Sequence, residues 1–233
     1  MKVTNSSSKH WLWKKRLLFL SRISLKTLNF NFKYLPFYQA KHLPILIARK
    51  VSFRKLSGEV HLEGTPKFDR IRIGFGDVGI IDYKYNRTLW DVSGKIIFKG
   101  KAEIGYGASI AVGEEGELIF GKNFKLTARS SIVAFNSVVF GDDCQLSWDV
   151  MIMDTDLHPI KNSASQVINA PRPVQIGNHV WIGCRSMVLK GVNIPDNCII
   201  GANSHVYKSL DKEHSVYAGN PIKQLIEGVT WEL

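Results

Sequence analysis

Cysteine is scarce in this chain of 233 residues. Cys144, Cys184 and Cys198 are an odd number with no CxxC spacing, which argues against a disulfide framework or a cysteine-built zinc site. Long apolar runs are missing as well. The longest near the N-terminus, "RLLFLSRIS", is too short to span a bilayer and too charged for a secretory core, so a cytoplasmic protein with reduced, buried thiols is expected. Acidic side chains are almost absent from the first 60 residues, where Glu59 stands alone against 13 Lys and Arg. The remaining residues hold 18 bases and 19 acids, so the net charge of +11 is that of a basic arm on a nearly neutral body. Such asymmetry points the arm at an anionic surface. No recognisable nucleic-acid reading module accompanies it, and nucleic acid is not an expected partner.

What is present suffices for a folded domain. Apolar residues make up 45% of the chain and aromatics 11%, enough to offset the entropy of ordering it. In the arm, placed at residues 1–57, Trp13, Leu17, Leu20 and Leu28 fall on one helical side while Lys14, Lys15, Arg22 and Lys26 lie off it. Pro36 and Pro44 break any continuous helix. Two readings stay open: an interfacial helix on anionic lipid at the inner face of a membrane, or a helix packed on the main domain with a solvated basic face.

From residue 58 onward the pattern turns short and extended. "SGEVHLEG" and "SGKIIFKG", 36 residues apart, suggest a repeat. Further on, Ile176, Ile182, Val188, Ile194, Ile200 and Val206 recur every six residues. Two positions before each stands a small or β-branched residue: Val174, Val180, Ser186, Val192, Cys198 and Ser204. Phe120, Leu126, Ile132 and Val138 keep the same step, as do Phe140, Leu146 and Ile152 after a two-residue slip. A period of six fits neither an α-helix nor a hairpin sheet. It fits a parallel β-helix in which each hexad is one short strand and one turn, with apolar ladders inside and Gly177, Gly183 and Gly201 relieving tight corner torsions. The domain is placed at residues 58–225, followed by a tail at 226–233.

The hexads, together with "IGNHVWIGCRSMVLKGVNIPDNCIIGANSHVYKSL" and "YAGNPIK", resemble the hexapeptide-repeat acyltransferases over about residues 94–225, especially the maltose, galactoside and polysaccharide O-acetyltransferase branch. The resemblance implies a left-handed parallel β-helix working as a homotrimer. The hand comes from this likeness, because crossovers are right-handed as a rule. It implies an acetyl-CoA-dependent O-acetyltransferase acting on a sugar hydroxyl of a surface-polysaccharide precursor, with no metal.

Between Ile152 and Val174 the six-residue register stops, and the interruption contains "DTDLHP". An insertion on a rigid solenoid is a natural place for function, and imidazole is well suited to take a proton from a hydroxyl near neutral pH. The family's His-Pro matches His158 and Pro159, which implies that His158 is the general base. Asp154 or Asp156 is the candidate to orient its ring; an Asx turn shaping the loop is the alternative for both. The resemblance also implies an oxyanion donor in the backbone N–H of Cys184, with Trp181 lining the acceptor or pantetheine channel or serving as a corner aromatic. Covalent catalysis through Cys184 is disfavoured, since no base lies near it in sequence. Ala202, Tyr207, Lys208 and Lys223 are the candidate coenzyme contacts, the lysines supplying charge for phosphates. Two other readings compete. A metal hydratase on the same solenoid needs three converging imidazoles, and His158, His179 and His205 are available, but two of them stand inside regular hexads. A non-catalytic scaffold leaves the loop histidine and the coenzyme-like phrases without a purpose.

Overall fold

The computed structural model describes residues 23–76, 78–82 and 84–232. Among the described residues twenty-two strands form three sheets of nine, seven and six strands, here called A, B and C. The chain visits them in turn, A to B to C, so each coil is one turn of a three-sided prism. Every neighbouring pair within a sheet is parallel except the last, Ser215–Ala218 with Lys223–Glu227. The fold is the left-handed parallel β-helix that the resemblance implies.

The hexads act as expected. Trp181 and Ile182 pair with Ile199 and Ile200 one coil, or 18 residues, further on, and all six residues from Ile176 to Val206 point into a closed interior. "SGEVHLEG" and "SGKIIFKG" are neighbours in sheet C, with Glu59 against Lys95 and Leu62 against Phe98. The two-residue slip has a simple cause: Val138 and Phe140 are both inward residues of one strand, Ser137–Phe140. Longer strands alternate with period two and widen the prism there. Phe98, Phe120 and Phe140 fill the extra width as a stack, with ring centroids 5.0 and 5.8 Å apart.

The corner glycines do something other than relieve torsion. The left-handed backbone falls three residues after Ile176, Ile182, Val188, Ile194 and Ile200, on His179, Arg185, Gly191, Asn197 and Asn203, with φ between 54° and 76°. Asn, His and Gly are among the residues that tolerate it best. Gly177 and Gly183 are needed because the next coil passes too close: a Cβ there would lie 2.3 Å from Asp196 Oδ1 and 2.6 Å from Ala202 N.

The solenoid starts earlier than residue 58. Ile45–Ile47 pairs with Ile71–Phe75 in sheet A, and Val51–Leu56 pairs with Thr88–Val92 in sheet B, so both belong to the first coils. Their short apolar runs sit among basic side chains that face solvent, which hid them in the arm. Helix α1 (Leu25–Tyr34) covers the free edge of Ile45–Ile47; a four-residue helix, α2 (Phe37–Ala40), follows it. Asn31 donates to Ile45 O at 2.7 Å and accepts from Ile45 N at 3.1 Å, while Thr27 Oγ1 accepts from Ile47 N at 3.0 Å. The helix thereby satisfies backbone groups that an open edge would leave ready for another chain. Phe30 enters the core against Trp90 and Phe53. Leu28, grouped in sequence with Trp13, Leu17 and Leu20, lies on the opposite, exposed side; Trp13, Leu17, Leu20, Lys14, Lys15 and Arg22 fall outside the described residues. No helix among the described residues is long and apolar enough to cross a membrane.

The tail boundary at 226 also moves, because it divides the strand Lys223–Glu227. Beyond that strand Trp231 stacks on His179 at 4.4 Å and donates to its carbonyl at 2.9 Å.

Candidate active site

The interruption leaves the prism between Met151–Met153 of sheet B and Val174–Ile176 of sheet C. Its root is fixed by Asp154, which is fully buried: its carboxylate accepts from Phe135 N at 2.8 Å and Asn136 N at 2.7 Å, and its carbonyl accepts from Arg172 N at 2.9 Å. Burial is tolerable because several charge-assisted hydrogen bonds replace water. The next turn is held by Asp156. Its carboxylate accepts from Asn169 Nδ2 at 2.8 Å and forms a short ion pair with Lys190, which also donates to Asn169 O at 2.8 Å. The Lys190 ammonium, and secondarily Asn169, holds this carboxyl below its ordinary range.

His158 is exposed on this framework. Its N–H donates to Asp156 O at 2.7 Å and its carbonyl accepts from Asn169 Nδ2 at 2.9 Å, so its backbone is fixed while its ring has no hydrogen-bond partner among the described residues. Neither aspartate orients the ring: Asp154 is committed to backbone N–H groups and Asp156 to Lys190 and Asn169. Lys190 and Asn169 are the residues that sequence reasoning missed. A signal for Lys190 existed in the register, since Met151 pairs with Met187, and three residues further on the same offset brings Lys190 under Asp154.

A second group occupies the corner between sheets A and B. Trp181, half-buried on the strand Trp181–Ile182, donates from Nε1 to Ser147 Oγ at 3.1 Å. Cys184 and Ala202 follow at equivalent positions of successive coils, linked by a 2.8 Å bond from Asn203 N to Cys184 O. The N–H groups of Cys184 and Ala202 donate to no acceptor among the described residues, which leaves two stacked outward donors one coil apart. Tyr207 and Lys208 are exposed on the same corner as the loop, and Lys223 lies on the last strand of sheet A.

Within one chain, then, His158, Tyr207 and Lys208 share one corner, and Trp181, Cys184 and Ala202 another. His179 sits on the third corner and His205 on sheet B. Among the described residues no group of three or more His, Cys, Asp or Glu is placed to hold a metal ion.

Residues 173–208 match the family model described as bacterial transferase hexapeptide (six repeats). The galactoside O-acetyltransferase of Escherichia coli K12 is 34% identical over 125 residues, 52% of this chain and 56% of that protein. A chloramphenicol acetyltransferase of Morganella morganii is 28% identical over 109 residues, 47% of this chain and 50% of its own. The polysialic acid O-acetyltransferase of Neisseria meningitidis is 39% identical over 62 residues, 26% of this chain and 29% of its own. The chain spans about half the length, or less, of these curated relatives. The unbroken hexads, their three-sided parallel coil and the matched repeat agree: residues 173–208 carry the bacterial transferase hexapeptide repeat, and the chain is similar to named O-acetyltransferases.

Proposed function

We propose that this protein transfers an acetyl group from acetyl-CoA to a sugar hydroxyl, in the assembly of a surface polysaccharide such as a capsule, O-antigen or exopolysaccharide. One observation carries the reading: between Phe120 and Val206 the solenoid makes one long excursion, and it presents an exposed imidazole on a backbone pinned by Asp154, Asp156, Asn169 and Lys190. In the reaction, the free nitrogen of His158 takes the proton of the acceptor hydroxyl as its oxygen attacks the thioester carbon. The negative charge that gathers on the carbonyl oxygen is met by the N–H of Cys184. The C–O bond forms, the C–S bond breaks, and the departing thiolate takes the proton from the imidazolium, so ester and free CoA thiol leave a neutral histidine.

The two corners fit this chemistry if they come from different subunits. A homotrimer with the loop of one chain against the neighbouring chain's Trp181 corner unites base and donors. The stacked N–H groups of Cys184 and Ala202 suit the amide carbonyls of pantetheine, and Lys208 and Lys223 suit its phosphates. Two of the relatives, named for galactoside and polysialic acid, support a carbohydrate acceptor. The test is thiol release from acetyl-CoA against sugars, nucleotide sugars and polysaccharide repeat units, with mass spectrometry of the product. Wild type should release thiol with at least one acceptor, and His158→Ala should lower the rate by about 10²–10⁴-fold with the oligomer intact. Near-normal turnover in that variant would remove the mechanism.

A further inference from the structure

Helix α1 carries apolar side chains on two opposite faces. Thr27, Phe30 and Asn31 turn to the first coil, whereas Leu25, Leu28 and Phe32, spaced by three and four on the far side, are 84%, 38% and 50% exposed. Phe37, 72% exposed at the start of α2, extends the patch, with its ring 6.2 Å from that of Phe32. A helix face turned to water is normally polar, so a contiguous apolar one calls for a partner.

Charge decides which partner. Between residues 23 and 58 there are seven Lys and Arg and no acid, and exposed Lys33 and Lys41 flank the patch. Residues 1–22, with Trp11, Trp13 and Phe19, add six more bases and again no acid. Covering the face with that segment, or with the same face of a second copy, sets like charge against like. The surface that supplies both negative charge and an apolar interior is an anionic membrane. We propose that the outward face of α1 and the start of α2 dock this protein on an anionic lipid bilayer. Strand hydrogen bonds run along the solenoid axis and α1 sits on their free end, so its far face looks out along that axis. Four coil steps separate Ile45–Ile47 from Gln145–Leu146, which holds the loop of His158 about 19 Å above the first coil, with the width of α1, about 10 Å, between that coil and the lipid. That height bears on the acceptor only through the reading of His158 given above.

The test is co-sedimentation of the full chain, without substrate, with vesicles of phosphatidylcholine containing one-third phosphatidylglycerol, and with phosphatidylcholine alone. Partitioning should be at least about tenfold stronger on the anionic vesicles and weaken in high salt. Leu25→Ser, Phe32→Ser and Phe37→Ser together should lower it by at least about tenfold. Lys33→Glu with Lys41→Glu, which leaves the apolar face whole, should lower it comparably. No binding by wild type, equal binding to both vesicle types, or unchanged binding in both variants would overturn the proposal. So would sedimentation velocity without lipid showing that the triple serine variant is a smaller oligomer, since the face would then join copies of this chain. Because the readout is partitioning, it stands apart from any failure of the acetyl-transfer reading.

Discussion

The two halves of the solenoid are built from the same coil at different widths. Before Gln145 the strands run three to six residues, Lys125 pairs with Gln145 over a 20-residue coil, and the interior holds Trp90, Phe98, Phe120, Phe124 and Phe140. Between Gln145 and Val206 the strands shrink to two or three residues, Gln175 pairs with Asn193 over an 18-residue coil, and the buried apolar residues are Ile, Val, Leu and Cys. The loop of His158 leaves where the prism narrows. The wide half is a packed pillar closed by α1. The narrow half presents the outward N–H groups of Cys184 and Ala202, while close coil-to-coil contact calls for glycine in both halves, as at Gly94, Gly121, Gly177 and Gly183. Bulk stability and chemistry are divided along the axis.

That division can be broken by mutation. Phe120→Ala removes a ring that touches Phe98, Phe124 and Phe140. It should cost about 3–5 kcal/mol in denaturant melts, against about 0.5–1.5 for Ile194→Val in the narrow half. Equal losses would abolish the distinction. Gly183→Ala should cost about 1–3 kcal/mol, because its Cβ would press on Ala202 N. Gly79→Ala meets nothing within 4 Å and should be nearly silent in the same melts.

Smaller effects test the loop. The depressed Asp156 carboxyl stabilises the folded loop above its ordinary value near pH 4 and ceases to do so as pH falls through the lowered value. Its side chain is 43% exposed, so solvent screening limits this to about 1 kcal/mol or less. Hydrogen exchange of a peptide spanning 154–173, corrected for intrinsic rates, should show the loop loosening only at strongly acid pH in wild type and already at neutral pH in Lys190→Met. The subtlest expectation concerns the thiols. Burial pushes Cys144 up to about 12 and Cys198 up to about 11, so both stay protonated at neutral pH. A thiol reagent should titrate one cysteine, half-buried Cys184, in the native chain and the other two after unfolding.

The hexads from Ile176 to Val206 were legible because one residue in six faces a sealed interior and nothing else satisfies that period. The loop was legible as the gap between the hexads that end at Ile152 and those that resume at Val174. The roles of the corners were not. Gly177 and Gly183 were read as torsion relief, whereas coil-to-coil contact demands them and His179 and Arg185 take the left-handed backbone. Asp154 and Asp156 looked interchangeable in sequence, yet one is buried among backbone donors and the other pairs with a lysine 34 residues away. Ile45–Ile47 and Val51–Leu56, which pair into the first coils, are too short to show a period in the sequence.

The sequence by itself determined the coil, its ladders, the place of the break and the imidazole within it, since each follows from local spacing and side-chain chemistry. Only the tertiary structure decided which residues meet across coils: Lys190 with Asp156, Asn31 with the open edge at Ile45, Trp231 with His179. Those contacts join residues that are distant along the chain and become neighbours only when coils stack about 4.8 Å apart, a distance that backbone hydrogen bonding fixes and no local pattern encodes.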